Sequence, residues 1–201
     1  MAITDRERTL RLARRVQGVS PRDLAAARIH RQVLTRLVAE GRIERIARGV
    51  YRLPKQPITE HHGLALAAAA VPQGAICLLS ALQFHRVGTQ LPSQVWIAID
   101  RKAWRPKLKH PPLRIVRFTG KALTTGIESH RLEGRVVRVY RLAKTVADCF
   151  KYRNKIGLDL ALEALRDYTR QRKGTLDELM RYAAICRVAN VMRPYLEALV
   201  E

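Results

Sequence analysis

Apolar positions recur at helical spacing in three short bursts at the start of the chain. Leu12, Ala13 and Val16 mark one side of a first helix, capped by Thr4 or Asp5 and running to Gly18. Ser20-Pro21-Arg22-Asp23 then combines a favoured N-cap, a proline preorganised for the first helical position and an acid at the reciprocal capping position. A second helix is expected from there through Ala27, with Leu24 and Ala25 facing inward. Val33, Leu34, Leu37 and Val38 give the buried stripe of a third helix, from about Arg31 to Glu40, and Gly41 supplies its left-handed C-cap. From Arg42 the period changes. Ile43, Ala47 and Tyr51 bracket a short strand, a turn at Arg48-Gly49 and a return strand.

After a linker at Lys55 to Ile58, flanked by Pro54 and containing Pro57, the pattern predicts helices over about 59–71 and 75–84. Strands follow at 94–99, 113–118 and 136–140, then a helix over about 142–152 with Val146 and Phe150 inward. The tail reads as helical. Leu158, Leu162 and Leu165 share a face, Thr175-Leu176-Asp177-Glu178 opens the next helix as a capping box, and a last helix spans about 191–200. The expected fold class is α+β: a winged helix-turn-helix over residues 1–54, then an α+β domain over 55–201 with a small sheet and a helical end.

Charge changes this picture from a fold to a function class. The 201 residues carry 38 Lys+Arg against 17 Asp+Glu, a formal net charge of +21. Residues 1–54 hold 13 basic and 5 acidic side chains, all of the former Arg. Residues 55–155 hold 18 and 5, whereas 156–201 hold seven of each. A positive field of this size costs self-repulsion, and a polyanionic partner is its usual compensation. With 47% hydrophobic residues the chain can bury a core, so this is not a basic disordered tail.

Three short helices followed by an Arg-studded hairpin describe a winged helix-turn-helix whose third helix enters the major groove. On its outer face Arg31, Gln32, Thr35 and Arg36 are the candidate base readers: Arg suits guanine edges or phosphates, Gln pairs with adenine, and Thr serves either purpose. Arg45, Arg48 and Arg52 on the hairpin would lie on backbone or minor groove. The bland alternative is a solvated three-helix unit or a protein-interaction wing.

The run from Arg28 to Tyr51, ending in the wing Arg45-Ile46-Ala47-Arg48-Gly49-Val50-Tyr51, resembles the N-terminal winged helix of AbiEi-family antitoxins. Further on, Ser80-Ala81-Leu82-x-x-His85, the strand through Trp96 to Ile99, and Tyr140 to Cys149 resemble the C-terminal region of the same family. The resemblance implies a DNA-binding repressor of its own operon, acting in abortive infection (phage defence) as the antitoxin of a type IV toxin–antitoxin pair. Its C-terminal domain would oppose a nucleotidyltransferase-like AbiEii toxin, with no obligatory complex implied. A single recognition helix reads few base pairs, so the expected operator is an inverted repeat bound by two protomers, monomeric or weakly dimeric in solution.

Catalytic, metal and cofactor sites are not expected. Residues 55–155 contain only Glu60, Asp100, Glu128, Glu133 and Asp148 as acids, and the strands at 113–118 and 136–140 offer no carboxylate beside Asp100 for a nuclease metal. Ser80, His85 and Asp100 lack the nucleophile elbow of a triad, and adjacent His61 and His62 diverge by about 100° on a helix. Cys77, Cys149 and Cys186 show no metal-type spacing and fit a reducing, cytoplasmic setting. Neither a signal peptide nor a membrane span is expected. The basic stretch Arg101, Lys102, Trp104, Arg105, Lys107 and Lys109 stands apart. It is a possible second nucleic-acid contact, or a solvated loop with Trp104 folded back onto the core. A chain that is an RNA- or toxin-directed basic module, without specific operator recognition, is the competing reading.

Overall fold

The computed structural model describes residues 3–16, 18–55, 59–106, 108 and 110–200. The chain forms two compact units. The first comprises Met1–Gly74, Trp104–Leu113 and Ser129–Val137; the second comprises Ala75–Ala103, Arg114–Glu128 and Arg138–Glu201.

In the first unit, helix α1 (Asp5–Arg15) starts at Thr4, whose side chain accepts from the Glu7 amide while Glu7 reaches back to the Thr4 amide. Helix α2 (Pro21–Ala26) has the same reciprocal box between Ser20 and Asp23. Only Leu24 of α2 is buried; Ala25, expected to face inward with it, is exposed. Helix α3 (Gln32–Ala39) buries Leu34 and Leu37, with Val33 and Val38 half-buried against the same core. Strands β1 (Glu44–Ala47) and β2 (Val50–Arg52) pair antiparallel, and the Tyr51 amide donates to Val19 O at 2.8 Å, so Val19 adds a third backbone segment to the wing. Ala13, Val19, Leu24, Ile29, Leu34, Leu37 and Ile43 form one buried cluster.

This unit reaches past residue 54. Helix α4 (His62–Ala70) places Leu66 and Ala69 against Val50 of the wing. Gly18 sits beneath that contact at φ +76°, where a Cβ would lie 3.0 Å from Leu66 Cδ2 and 3.1 Å from Val50 Cγ1. Both the backbone angle and the space call for glycine. At the start of α4, His62 Nδ1 lies 3.0 Å from Glu133 Oε2, and Glu133 also accepts from Thr59.

The second unit is built on a five-stranded sheet in the order β5-β4-β3-β7-β6. Its strands are β3 (Ala75–Ile76), β4 (Val95–Asp100), β5 (Leu113–Phe118), β6 (Ile127–Leu132) and β7 (Arg135–Tyr140), of which β6 and β7 join through the segment that counts with the first unit. Strand β3 pairs antiparallel with β4 and parallel with β7, Ile76 facing Val139. The helix expected over 75–84 therefore begins three residues late. Cys77 caps helix α5 (Leu78–Phe84), and the preceding residues are taken by the sheet. Helices α6 (Gly120–Thr124), α7 (Leu142–Lys151), α8 (Arg153–Ile156), α9 (Leu158–Arg170), α10 (Leu176–Cys186) and α11 (Ala189–Val200) complete the unit. On α9 the buried face is Leu160, Ala161, Ala164, Leu165 and Tyr168; Leu158 is exposed, so the inward stripe is shifted from the expected one. Thr175 caps α10 by accepting from the Glu178 amide, while the Glu178 carboxylate pairs with Arg141 at 3.0 Å.

Helix α7 is the centre of this core, with Val146 and Phe150 fully buried. It also buries a charge pair. Lys144 Nζ lies 2.5 Å from Asp148 Oδ2, both side chains with no exposed area. The ammonium faces the rings of Tyr140 and Phe118 at 4.4 and 4.8 Å from their centroids, and the Cys186 thiol donates to Asp148 Oδ1. Burial pushes the Asp148 carboxyl up from its ordinary value, opposed by the Lys144 charge and by hydrogen bonds from Lys144 and Cys186.

Candidate nucleic-acid interface

Helix α3 turns its chemistry outward through simple geometry. At about 100° per residue, Arg31, Thr35, Gln32 and Arg36 fall within an arc of about 140°, opposite Leu34 and Leu37. All four are exposed, whereas the two leucines are buried. Arg31 occupies the N-cap and makes no side-chain cap; instead His30 Nδ1 accepts from the Gln32 amide at 3.3 Å. Gln32 and Arg36, one turn apart, line a surface groove of about 480 Å3 together with Asp5, Arg6, His30, Val33, Leu37 and Glu40. An Arg6–Glu40 ion pair at 2.7 Å ties α1 to the end of α3 along that groove.

The wing divides its arginines. Arg45 and Arg48 are exposed, Arg48 at the turn before Gly49. Arg52 is half-buried, and its guanidinium pairs with Glu44, its cross-strand partner in the register. Its charge is therefore already used within the hairpin. Spacing alone does not distinguish the three, because it assigns no register to the hairpin.

Exposed arginines that the sequence reading passed over lie in the same unit. Arg22 is at the second position of α2, Arg28 is in the turn before α3 at φ +54°, and Arg42 follows Gly41. The signal for Arg22 is in the sequence: it sits between the proline and the capping acid. By contrast, Arg8 is spent on structure, its guanidinium donating to Asp5 and to Ala27 O.

The α2 N-terminus has a support of its own. Arg135 donates from Nη2 to Gly18 O at 2.6 Å and to Asp23 Oδ2 at 2.9 Å. Burial alone would raise the Asp23 carboxyl, but hydrogen bonds from Arg135 and Ser20 and the Arg135 charge outweigh it, and the carboxyl ends below its ordinary value.

In the basic stretch after β4, Arg101, Lys102, Trp104 and Arg105 are all exposed; Lys107 and Lys109 lie outside the described residues. Trp104 is 92% exposed, so it is not folded back onto the core. The remaining candidates for chemistry are dispersed. Ser80 Oγ accepts from the Trp96 amide and bonds Gln94 O, His85 Nε2 bonds Tyr140 O at 2.8 Å, and Asp100 Oδ1 accepts from the Lys102 amide. Among the described residues no group of three or more His, Cys, Asp or Glu side chains could hold a metal ion, and no helix is long and apolar enough to cross a membrane.

A tri-helical core and a two-stranded wing define the N-terminal part as a winged helix-turn-helix. Residues 7–54 match the family model described as transcriptional regulator, AbiEi antitoxin. The match covers the helix-turn-helix and its wing, including the run Arg28 to Tyr51, and ends before the C-terminal stretches in which the sequence resembles the same family. No curated protein matches the chain.

Proposed function

We propose that this chain is a sequence-specific DNA-binding repressor of its own operon and the antitoxin of a type IV toxin–antitoxin system, opposing a nucleotidyltransferase-like toxin. The observation that carries the reading is the exposed arc Arg31, Gln32, Thr35 and Arg36, opposite a buried leucine pair, in a segment matched to AbiEi antitoxin regulators. In this reading the four side chains meet base edges in the major groove. Arg48 and Arg45 lie on phosphate or in the minor groove, Arg22 lies on phosphate at the start of α2, and Arg52 braces the wing through Glu44. Two protomers occupy inverted half-sites on cytoplasmic DNA. The toxin is opposed by the C-terminal domain, with no stable complex required.

The test is a gel-shift titration on the DNA upstream of the gene and on a scrambled duplex, each at two salt concentrations. A specific repressor prefers the upstream DNA by about a thousandfold or more at near-physiological salt. Equal, steeply salt-dependent binding to both duplexes would reduce the positive charge to a non-specific footprint.

A further inference from the structure

The turn that leads into α3 is ordered by one buried residue and capped by the next. Helix α2 closes at Arg28, at φ +54°, where the Arg28 amide donates to Ala25 O at 3.0 Å and the Ile29 amide to Leu24 O at 2.8 Å. Ile29 joins the buried cluster that contains Leu24 and Leu34, and the chain returns to the surface at His30. His30 O accepts from the Val33 amide at 3.1 Å, and its ring Nδ1 accepts from the Gln32 amide at 3.3 Å. Arg31, at φ −56° and ψ −25°, is already helical and makes no side-chain cap. His30 thus does for α3 what Thr4 does for α1 and Ser20 for α2: it satisfies an amide that the first turn leaves without a carbonyl partner.

This cap differs from the other two in its chemistry. A hydroxyl oxygen accepts at any pH near neutrality, whereas an imidazole nitrogen accepts only while it carries no proton. The neutral ring, with its proton on Nε2, caps the helix. The imidazolium cannot, and its charge also opposes the positive end of the helix dipole. Imidazole is the side chain that changes charge between about pH 5 and 8. The charged groups around His30 do not offset this. It lines one groove with Asp5 and Arg6 of α1 and with Gln32, Arg36 and Glu40 of α3, and Arg28 and Arg31 flank it in the chain. Both carboxylates of that groove are already engaged, Asp5 by Arg8 at 2.8 Å and Glu40 by Arg6 at 2.7 Å.

We propose that His30 is a positioning residue for base reading by α3, and that its protonation lowers operator specificity. This rests on the reading of α3 as the helix that meets the operator. The neutral cap orders the first turn, which carries Arg31 and Gln32. The imidazolium loosens that turn while adding a positive charge beside the DNA. Specific affinity therefore falls on acidification where non-specific affinity holds or rises.

The test titrates the full-length wild type, His30→Asn and His30→Ala with the upstream duplex and the scrambled one, at pH 7.5 and 5.5 and equal ionic strength. Asparagine caps helices and carries no titrating group. The wild-type preference for the upstream duplex should fall roughly fivefold between the two pH values. His30→Asn should keep the preference at both, and His30→Ala should show the lower value at both. Without DNA, hydrogen exchange at the Gln32 amide is measured relative to an unstructured peptide at the same pH. It should be protected in the wild type at pH 7.5 but not at 5.5, and in His30→Asn at both. An equal acid loss of preference in His30→Asn overturns the proposal, as does Gln32 protection in the wild type that is indifferent to pH. A wild type with the expected exchange at Gln32 but no operator preference at pH 7.5 overturns instead the operator reading of α3, while the cap stands.

Discussion

Arg135 and Asp23, 112 positions apart, meet at 2.9 Å, and the same guanidinium nitrogen also reaches Gly18 O. A single side chain thereby fastens the turn between α1 and α2 and the capping box that starts α2. Asp23 is simultaneously the partner of the Ser20 amide and hydroxyl, at 2.7 Å each. The helix that precedes α3 is therefore held by a carboxylate whose ionised form makes these contacts.

The pH dependence follows from that ionised form. The Asp23 carboxyl lies below its ordinary value of 3.8 in the folded chain, so the folded state holds the proton less tightly than the unfolded one. Its contribution to stability is complete above that ordinary value and is lost as pH falls through the lower folded value. Urea unfolding between pH 2.5 and 7 should show Asp23→Asn less stable than the wild type by about 1 kcal/mol at pH 7, with the difference closing in acid. A difference constant over the whole range would show that the charge of Asp23 is irrelevant to the clamp.

On DNA, the arc of α3 and the tip of the wing should fail in different ways. Arg36→Ala is expected to relax specificity, costing roughly 1–3 kcal/mol on the operator and little on random duplex. Arg48→Ala should weaken all duplexes alike and flatten the salt dependence by about one unit of slope. Glu44→Gln provides the internal contrast: it unties Arg52 from its cross-strand partner, so non-specific binding should hold or rise. Equal losses on operator and random DNA for Arg36→Ala and Arg48→Ala would remove the distinction between reader and wing.

Gly18 couples the turn to the wing by the absence of a side chain. At φ +76°, with Leu66 and Val50 within 3.1 Å of where a Cβ would stand, Gly18→Ala carries both a backbone strain and a crowding cost. Together these should exceed 1 kcal/mol. Thermal unfolding reads that loss. If the variant is as stable as the wild type, the wing and α4 are free to move apart, and the packing of Val50 on Leu66 does not restrain them.

What the sequence disclosed was what is local. Ser20 to Asp23 announced a cap because its partners lie three residues apart, and Gly41 and Gly49 fall where the chain needs positive φ. Strand β3 stayed hidden because its two residues are defined by Ile97 and Val139, distant partners that no window contains. Strand β6, with the half-polar run Ile-Glu-Ser-His-Arg-Leu, buries none of its residues fully and so lacks an apolar signal. The candidate interface follows the same rule. The outward arc of α3 was readable from its period, but the use of Arg52 by Glu44 and the outward placement of Trp104 depend on tertiary packing.

Nothing in the period of α7 says that two of its charges are buried, and the consequence is a prediction about stability. Lys144 and Asp148 are one turn apart with no exposed area, and the pair is enclosed by Tyr140, Phe118 and Cys186. Taking both charges out of water costs about as much as their attraction returns, so the pair itself adds little to stability. Removing one partner is different, because the other is left charged and unpaired. Lys144→Met and Asp148→Leu should each cost about 3–5 kcal/mol, whereas the double variant should lie close to the wild type or above it. Denaturant unfolding of the four proteins gives the coupling directly. If the two single losses simply add in the double variant, the ion pair is not what balances the two charges, and the rings and thiol around them must be satisfying each one independently.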